Sequence, residues 1–168
     1  MQYPISVPLL IKYCRLKNNI VILLFLLPLI GFTAIHPKAT TFISPVKYSI
    51  RLAGTFGEIR SKHFHAGIDI RSNKGGGGDS IYSSESGYIS RIKIDRSGYG
   101  KSIYVTHENG YTSVYAHLND FSKEVEAYVL DLQYKMMSYE IDIVPEADRF
   151  PLSKSEHIGF LGNTGYSF

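Results

Sequence analysis

The chain has 168 residues, a formal net charge of +3 and a pI of 8.9. The positive excess lies in residues 1–34, which hold three of the 18 Lys/Arg residues and none of the 15 Asp/Glu residues, so the remaining residues carry 15 of each sign. This balance gives no support to a nucleic-acid partner. The only cysteine, Cys14, lies in the same segment, which excludes a disulfide framework.

The first 34 residues have the pattern of a secretory signal sequence. Three basic residues precede an apolar run from Ile20 to Phe32, and Thr33 and Ala34 follow it. At about 13 residues the run is shorter than the ~20 that a membrane-spanning helix needs. We interpret residues 1–34 as a signal peptide, with an uncleaved N-terminal membrane anchor as the alternative. Both interpretations predict an exported protein of the periplasm or cell envelope.

Residues 35–47 contain prolines and lack a clear hydrophobic period, which predicts a linker leading into one small domain over residues 48–168. Short β-rich runs broken by glycine follow. The stretch GYISRIKID, residues 87–95, alternates as a half-buried strand does, with Ile92 and Ile94 on one face. Its charged residues occupy the other face: Arg91, Lys93 and Asp95.

The segment KSIYVTHENGYTSVYAHL, residues 101–118, predicts a β-hairpin. A two-residue loop at Asn109-Gly110, which can adopt the two positive φ values of a type I′ turn, pairs Ser102 with His117. His117 then points away from the core, whereas His107 lies on the core-facing register and is interpreted as structural. The same register predicts an apolar face that consists of Ile103, Val105, Val114, Ala116 and Leu118.

One helix is predicted over residues 121–139, with Ser122 available as its N-cap. Its apolar residues recur at helical spacing and are expected to pack on the core: Val125, Val129, Leu132 and Met136. Residues 139–144 predict a strand that Pro145 ends, and residues 157–165 predict a strand that runs into a glycine-flanked turn. The fold class is therefore mainly β, with antiparallel sheets in a sandwich-like arrangement and one inserted helix.

Four consecutive glycines, Gly75 to Gly78, raise the question of a phosphate-binding loop. No Gly-Lys-Ser/Thr ends the run and no helical pattern follows it, so a flexible hairpin loop is the interpretation. The signatures of zinc-binding His-Glu-x-x-His helices, nucleophile elbows and EF-hands are absent from the sequence as well.

The stretch KHFHAGIDIR, residues 62–71, contains the best candidate for metal ligands. His65 and Asp69 are four residues apart, and in a straight strand their Cα atoms would be roughly 13 Å apart, too far for two side chains to share one ion. The backbone must therefore bend between them, and Gly67 permits a bend because it has no Cβ. Taken alone, this spacing is a weak signal that also suits an ordinary strand.

Three ordered segments resemble the lysostaphin-type (LytM-like) zinc metallopeptidases of bacterial cell walls. They are GTFGEIRSKHFHAGIDIRS, SIYSSESGYISRIKIDRSGYGKSIYVTHENGYTSVYAHL and IGFLGNTGYS. The resemblance covers most of residues 54–168, with residues 121–150 as an insertion. It implies that His65 and Asp69 are Zn²⁺ ligands and that His117 assists catalysis.

The resemblance also assigns the remaining histidines and marks a departure. His63 has no ligand role in the pattern and is expected to lie in solvent or behind the ligands, while His36 and His157 are expected to be exposed. Family members continue past GNTGYS into a Gly-Pro-His-x-His-Phe segment that supplies the third zinc ligand and a second catalytic histidine. This chain ends at Phe168. We therefore expect a domain incomplete at its C-terminus, with weak zinc binding and no activity in these 168 residues alone.

The function that the resemblance implies is hydrolysis of the peptide cross-links of peptidoglycan by a zinc endopeptidase. A catalytic zinc takes three protein ligands and leaves one position for water. His117 would orient that water, accept its proton or stabilise the tetrahedral oxyanion. The alternative is a catalytically inactive module of the same fold that binds cell-wall peptides or activates another hydrolase.

Overall fold

The structure is a computed structural model that describes residues 41–61 and 63–166. The predicted signal peptide or anchor, His36 and the first part of the predicted linker lie outside the described residues. Within the described part of the chain, no helix is long and apolar enough to cross a membrane.

The described residues form ten strands and one helix. In chain order, the elements are β1 (Leu52–Gly54), β2 (Asp69–Ile70), β3 (Ser80–Tyr82), β4 (Gly87–Ile94), β5 (Lys101–His107), β6 (Thr112–Leu118), β7 (Asp120–Phe121), α1 (Lys123–Met136), β8 (Ile141–Ile143), β9 (Pro151–Leu152) and β10 (His157–Phe160). All strand pairings are antiparallel, which confirms the predicted fold class.

The central sheet has the order β6-β5-β4-β8, and β9 pairs with the first residues of β4. The alternation predicted for β4 is confirmed, because Ile92 and Ile94 are buried. On the other face, Arg91 forms a two-point contact with Asp142 of β8, with Nε 2.6 Å from Oδ1 and Nη2 2.5 Å from Oδ2. The hydrophobic core therefore lies on one side of this sheet.

The β5–β6 hairpin turns through three residues, so the predicted two-residue type I′ loop is wrong. The backbone N–H of His107 donates to the carbonyl of Tyr111 at 2.9 Å, and only Gly110, with φ of 85°, is in the left-handed region. This is the type of loop in which a type I turn precedes a left-handed glycine. The extra loop residue shifts the pairing by one, so that Val114 is 46% exposed and Tyr115 is buried.

A second irregularity restores the predicted register at the far end of the hairpin. Ile103 pairs with Tyr115, but Lys101 pairs with Leu118, so β6 contains one more residue than β5 between these two pairs. The extra residue lies at Ala116–His117, and His117 has a left-handed φ of 57°. Leu118 is consequently buried, as predicted, and His117 is half-buried rather than packed in the core.

Two smaller sheets complete the fold: β1-β2, and β3-β10-β7. The helix begins after Ser122 as predicted, although the Ser122 side chain makes no capping hydrogen bond, and Met137 ends it in a left-handed conformation. Val125 and Val129 are buried, but Leu132 is only half-buried and Met136 is 55% exposed. The prediction that all four pack on the core is therefore wrong for the last turn, which extends beyond the sheet.

Candidate metal centre

The side chains of His65 and Asp69 meet at the start of β2. Nε2 of His65 is 3.2 Å from Oδ1 of Asp69, and the backbone bends at Gly67 between them. Two donors bound to one tetrahedral zinc at ~2.0–2.1 Å are separated by roughly 3.3 Å. The distance between these two atoms therefore suits a shared metal ion.

The bend does not depend on glycine in the way that the sequence suggested. Gly67 has no left-handed φ, and a Cβ added there would have no heavy atom within 4 Å. A side chain is therefore sterically possible at this position. The glycine leaves open space beside the two ligands instead of providing a special backbone conformation.

The hydrogen bond on the other side of the His65 ring assigns its tautomer. Nδ1 lies 2.9 Å from the carbonyl oxygen of Thr55, which can only accept, and 3.4 Å from Nη2 of Arg60, which can only donate; the shorter contact favours the hydrogen on Nδ1. In the neutral ring Nε2 then presents a lone pair toward the carboxylate of Asp69. Two acceptors at 3.2 Å repel each other unless a proton or a metal ion lies between them. A backbone carbonyl that orients the far nitrogen is typical of metal-binding histidines.

A guanidinium group holds the second oxygen of Asp69. Nη2 of Arg60 donates to Oδ2 of Asp69 at 2.5 Å and lies 3.6 Å from Glu58. The hydrogen bond to Asp69 raises the pKa of Arg60 above its usual range. Arg60 thus orients the carboxylate and leaves Oδ1 directed at His65. Glu58, Arg60 and Asp69 line an open cavity of about 370 Å³ together with Ala53, Ile59 and Ser61.

Gly54 provides the space in which these charged groups converge. A Cβ on this residue would lie 2.5 Å from both Nη2 of Arg60 and Oδ2 of Asp69. Thr55 follows it, and its N–H donates to Glu58 at 3.1 Å. Neither Gly54 nor Arg60 could be identified from the sequence pattern, although both lie in the first segment of the resemblance.

His117 lies at the bulge of β6, on a different element from the two candidate ligands. Its Nδ1 is 2.8 Å from the carbonyl oxygen of Thr164, so Nδ1 carries the hydrogen and Nε2 is the acceptor in the neutral ring. Its backbone N–H donates to the carbonyl of Tyr99 at 2.9 Å, and the Tyr99 ring contacts the imidazole edge-on at 6.0 Å. A left-handed histidine costs backbone strain, and such strain clusters at functional sites.

Thr164 ties the glycine-flanked turn to the hairpin that carries His117. Its hydroxyl donates to the carbonyl of Leu118 at 2.7 Å and accepts from the N–H of Lys101 at 2.9 Å. The fit requires glycine at Gly100, where a Cβ would come within 2.4 Å of Thr164, and at Gly165, where it would come within 2.3 Å of Gly100. The role of the GNTG segment is therefore to position His117, and sequence reasoning missed Thr164.

The profile of peptidase family M23 matches residues 63–133, a segment that contains His65, Asp69 and His117. This segment is therefore similar to peptidase family M23. The antiparallel sheets with a single helix agree with the fold of an M23 peptidase domain. M23 peptidases are metallopeptidases and are generally zinc-dependent. No curated protein matches the chain.

The three remaining described histidines, His63, His107 and His157, are not part of the candidate site. His107 is buried, with Nδ1 2.9 Å from the carbonyl of Ser86 and Nε2 2.8 Å from the hydroxyl of Ser113, which confirms its structural role. His63 is exposed. His157 was expected to be exposed, but its ring packs between Tyr82 and Phe160 with centroids 5.9 and 4.8 Å away, so that prediction is wrong.

The donor set fits zinc as far as the described residues extend. A neutral imidazole nitrogen and a carboxylate oxygen are both common zinc donors in proteins, and here they are separated by the distance that a tetrahedral ion requires. Among residues 41–61 and 63–166, no third His, Cys, Asp or Glu joins them. His65 and Asp69 would thus supply two of the three protein ligands that a catalytic zinc takes.

Proposed function

We propose that this protein is an exported zinc metalloendopeptidase that hydrolyses the peptide cross-links of bacterial peptidoglycan. The observation that carries the proposal is the convergence of the His65 and Asp69 donor atoms, at 3.2 Å, within a segment that the profile of peptidase family M23 matches. The signal-like pattern of residues 1–34 supports export, and the resemblance to cell-wall peptidases supports the substrate class.

His65 and Asp69 would hold the metal through Nε2 and Oδ1. Zinc, when bound, supplies a Lewis acid that polarises the scissile carbonyl and activates water. Thr55 keeps the hydrogen of His65 on Nδ1, and Arg60 keeps Asp69 turned toward the histidine. Both ligands are therefore oriented by hydrogen bonds before a metal binds, which reduces the conformational cost of binding.

His117 would act on the proton of the attacking water. Its neutral tautomer, with the hydrogen on Nδ1 and a lone pair on Nε2, accepts a proton at Nε2 while the Thr164 carbonyl holds the ring. Once protonated, the same Nε2 can donate to the oxyanion or to the leaving amine. Acceptance of a proton is therefore the first role of His117, and oxyanion stabilisation follows from it.

The test compares alanine variants of His65 and His63, which are two residues apart, in the full-length protein. His65→Ala should abolish both zinc retention and peptidoglycan cleavage without unfolding the protein, because the side chain lies outside the hydrophobic core. His63→Ala is the matched control, since His63 is exposed and outside the donor pair. Metal analysis and clearing of a peptidoglycan suspension are the measurements.

Equal zinc content and activity in both variants would refute the assignment of His65 as a ligand. A protein that sediments with peptidoglycan but neither retains zinc nor cleaves cross-links would support the second candidate, an inactive cell-wall-binding or hydrolase-activating module.

A further inference from the structure

Arg51 and Arg71 lie opposite each other at the end of the small β1-β2 sheet, just before β1 and just after β2. Leu52 pairs with Ile70, and one position farther along, the N–H of Arg71 donates to the carbonyl of Arg51 at 2.8 Å. Directly opposite residues of an antiparallel pair project to the same face with Cβ atoms about 4.5–5.5 Å apart. Two like charges in these positions repel each other, so the pair costs stability unless an anion compensates it.

No carboxylate compensates these two arginines within the described residues. The nearest hydrogen-bond partners of their side chains are carbonyl oxygens: Ser72 lies 3.5 Å from Nη2 of Arg51, and Leu52 lies 3.3 Å from Nε of Arg71. The contrast with Arg91 is clear, because its guanidinium binds both oxygens of Asp142. Arg51 and Arg71 are exposed and keep donors available for a ligand.

A cavity of about 520 Å³ lies beside the arginine pair. The arginines line it together with Gly75 to Gly77 and with Gly162–Asn163. The glycine run connects β2 to β3, which belong to different sheets, so the predicted hairpin loop is wrong. Ser72 organises this loop through its hydroxyl, which accepts from the N–H groups of Gly75 and Gly77 at 3.2 Å. Without side chains, the loop allows the backbone of a ligand to approach closely.

The one acidic group of the loop is already used by the loop itself. Asp79 is buried, and its Oδ2 accepts from the Ser72 hydroxyl at 2.5 Å and from the N–H of Asn73 at 2.9 Å. The hydrogen bond from Ser72 lowers the pKa of Asp79 below its usual range. Asp79 therefore stabilises the cavity wall as a carboxylate and does not neutralise the arginines.

Residues that line the cavity adjoin both parts of the candidate active site along the chain. Arg71 follows Asp69 by two residues, directly after the end of β2, and in extended chain their Cα atoms are roughly 6.6 Å apart. On the opposite side, Gly162–Asn163 leads directly to Thr164, whose carbonyl holds His117. The distance from a group bound between the arginines to the candidate ligand Asp69 would be the length of one or two residues of an extended peptide.

We propose that Arg51 and Arg71 form a carboxylate-binding subsite that holds an acidic group of the substrate peptide beside the metal centre. Paired guanidinium groups bind a carboxylate through several charge-assisted hydrogen bonds, and the ligand removes the repulsion between them. Peptides offer such groups at their C-termini and acidic residues. The choice of a cell-wall peptide as the ligand rests on the proposed function, but the anion-binding chemistry does not.

The experiment measures equilibrium binding of two probes to the complete gene product by calorimetry after metal removal. One probe is a peptidoglycan stem peptide with free carboxylates, and the other is the same peptide with all carboxylates amidated. The double variant R51Q/R71Q should bind the free acid about ten- to a hundredfold more weakly than the unchanged protein, while both proteins bind the amidated peptide equally weakly. R149Q, which changes an arginine packed on Tyr128 and Phe150, is the control and should bind as the unchanged protein does.

The melting temperature and the outcomes below distinguish loss of the subsite from unfolding of the protein. Removal of two facing positive charges should leave the melting temperature unchanged or higher, so weaker binding cannot be attributed to unfolding. The subsite is refuted if the double variant binds the free acid normally, or if the unchanged protein binds the free acid no more tightly than the amidated peptide. Because metal-free protein is used, binding by the subsite can succeed even if the protein proves not to be a peptidase.

Discussion

Apolar residues are buried in the central β4-β5-β6 sheet but exposed in the β1–β2 layer, by which we mean β1, β2 and the residues between them. Ile92 and Ile103 of the central sheet have no exposed surface, whereas Ile59 and Phe64, between β1 and β2, are 81% and 69% exposed. The layer is held by short polar contacts, such as the N–H of His65 donating to the carbonyl of Glu58 at 2.8 Å. Burial by the sheet stabilises the fold, and polar contacts in the layer position the candidate ligands.

This division predicts that chemistry and stability can be changed separately. The layer has few buried side chains to lose, so substitutions there should affect metal binding more than unfolding. Substitutions in the central sheet should do the reverse. His117 lies at the boundary, because it belongs to the central sheet but contacts the glycine-flanked turn.

The largest effect is expected for His117→Ala in the complete gene product. Loss of the Nε2 acceptor should lower the rate of peptide hydrolysis by about 10²- to 10⁴-fold, as is typical of a general base. Zinc content should not change, because His65 and Asp69 remain. Steady-state cleavage of a synthetic cross-linked peptide, beside metal analysis, measures both. Zinc loss equal to that of His65→Ala would show that His117 is a ligand rather than a base.

Ile103→Ala should cause the largest loss of stability. Ile103 is completely buried in β5, and its truncation should lower the free energy of unfolding by about 2–5 kcal/mol. Ile59→Ala is the matched control in the β1–β2 layer, where the same truncation at an exposed position should change it by no more than about 0.5 kcal/mol. Urea denaturation followed by circular dichroism measures both. Similar losses of stability in the two variants would show that the β1–β2 layer contributes as much to the free energy of unfolding as the central sheet does.

A smaller effect is expected for Arg60→Gln. The guanidinium orients Asp69, and loss of a partner that orients a ligand typically weakens metal affinity by about 10- to 100-fold. Arg60→Lys keeps the charge but not the planar guanidinium, so its zinc affinity should lie between those of the unchanged protein and Arg60→Gln. Competition with a zinc-sensitive dye measures the affinity. Tighter zinc binding by Arg60→Gln would mean that the arginine competes with the metal for the carboxylate.

The smallest effect is expected for Gly67→Ala, which should bind zinc like the unchanged protein and unfold within about 0.5 kcal/mol of it. A Cβ at Gly67 meets no atom, and the backbone there is not left-handed. Gly54→Ala is its counterpart, because a Cβ at Gly54 would clash with Arg60 and Asp69 and should lower zinc affinity. If Gly67→Ala were the more damaging of the two, the bend would depend on glycine after all.

Much of the fold could be predicted from local patterns. The alternation of β4, the N-terminus of α1 after Ser122 and the bend between His65 and Asp69 all follow from short stretches of sequence. Such features depend on side-chain periodicity and on neighbours within a few residues. The candidate ligands came from the resemblance, and the spacing of His65 and Asp69 alone was too weak a signal to identify them.

The hairpin shows where local pattern is insufficient. Asn109-Gly110 is compatible with both a two-residue and a three-residue loop, and burial of Tyr115 favours the longer one, because its hydroxyl accepts from the buried N–H of Ser84 at 2.8 Å. The bulge at His117 then compensates the shift, so that Leu118 returns to the core. Neither irregularity is visible in the hairpin sequence, since each depends on a partner elsewhere in the chain.

The sequence by itself determined the strand-rich class, the helix and the types of side chain available for chemistry, because these depend on composition and short-range order. Only the tertiary structure decided which of those side chains meet: Arg60 with Asp69, Thr164 with His117, and Arg51 with Arg71. These contacts join residues between nine and 47 positions apart. Their geometry depends on how the chain packs between them, because strand register and close approach at glycine are set by burial across the whole domain.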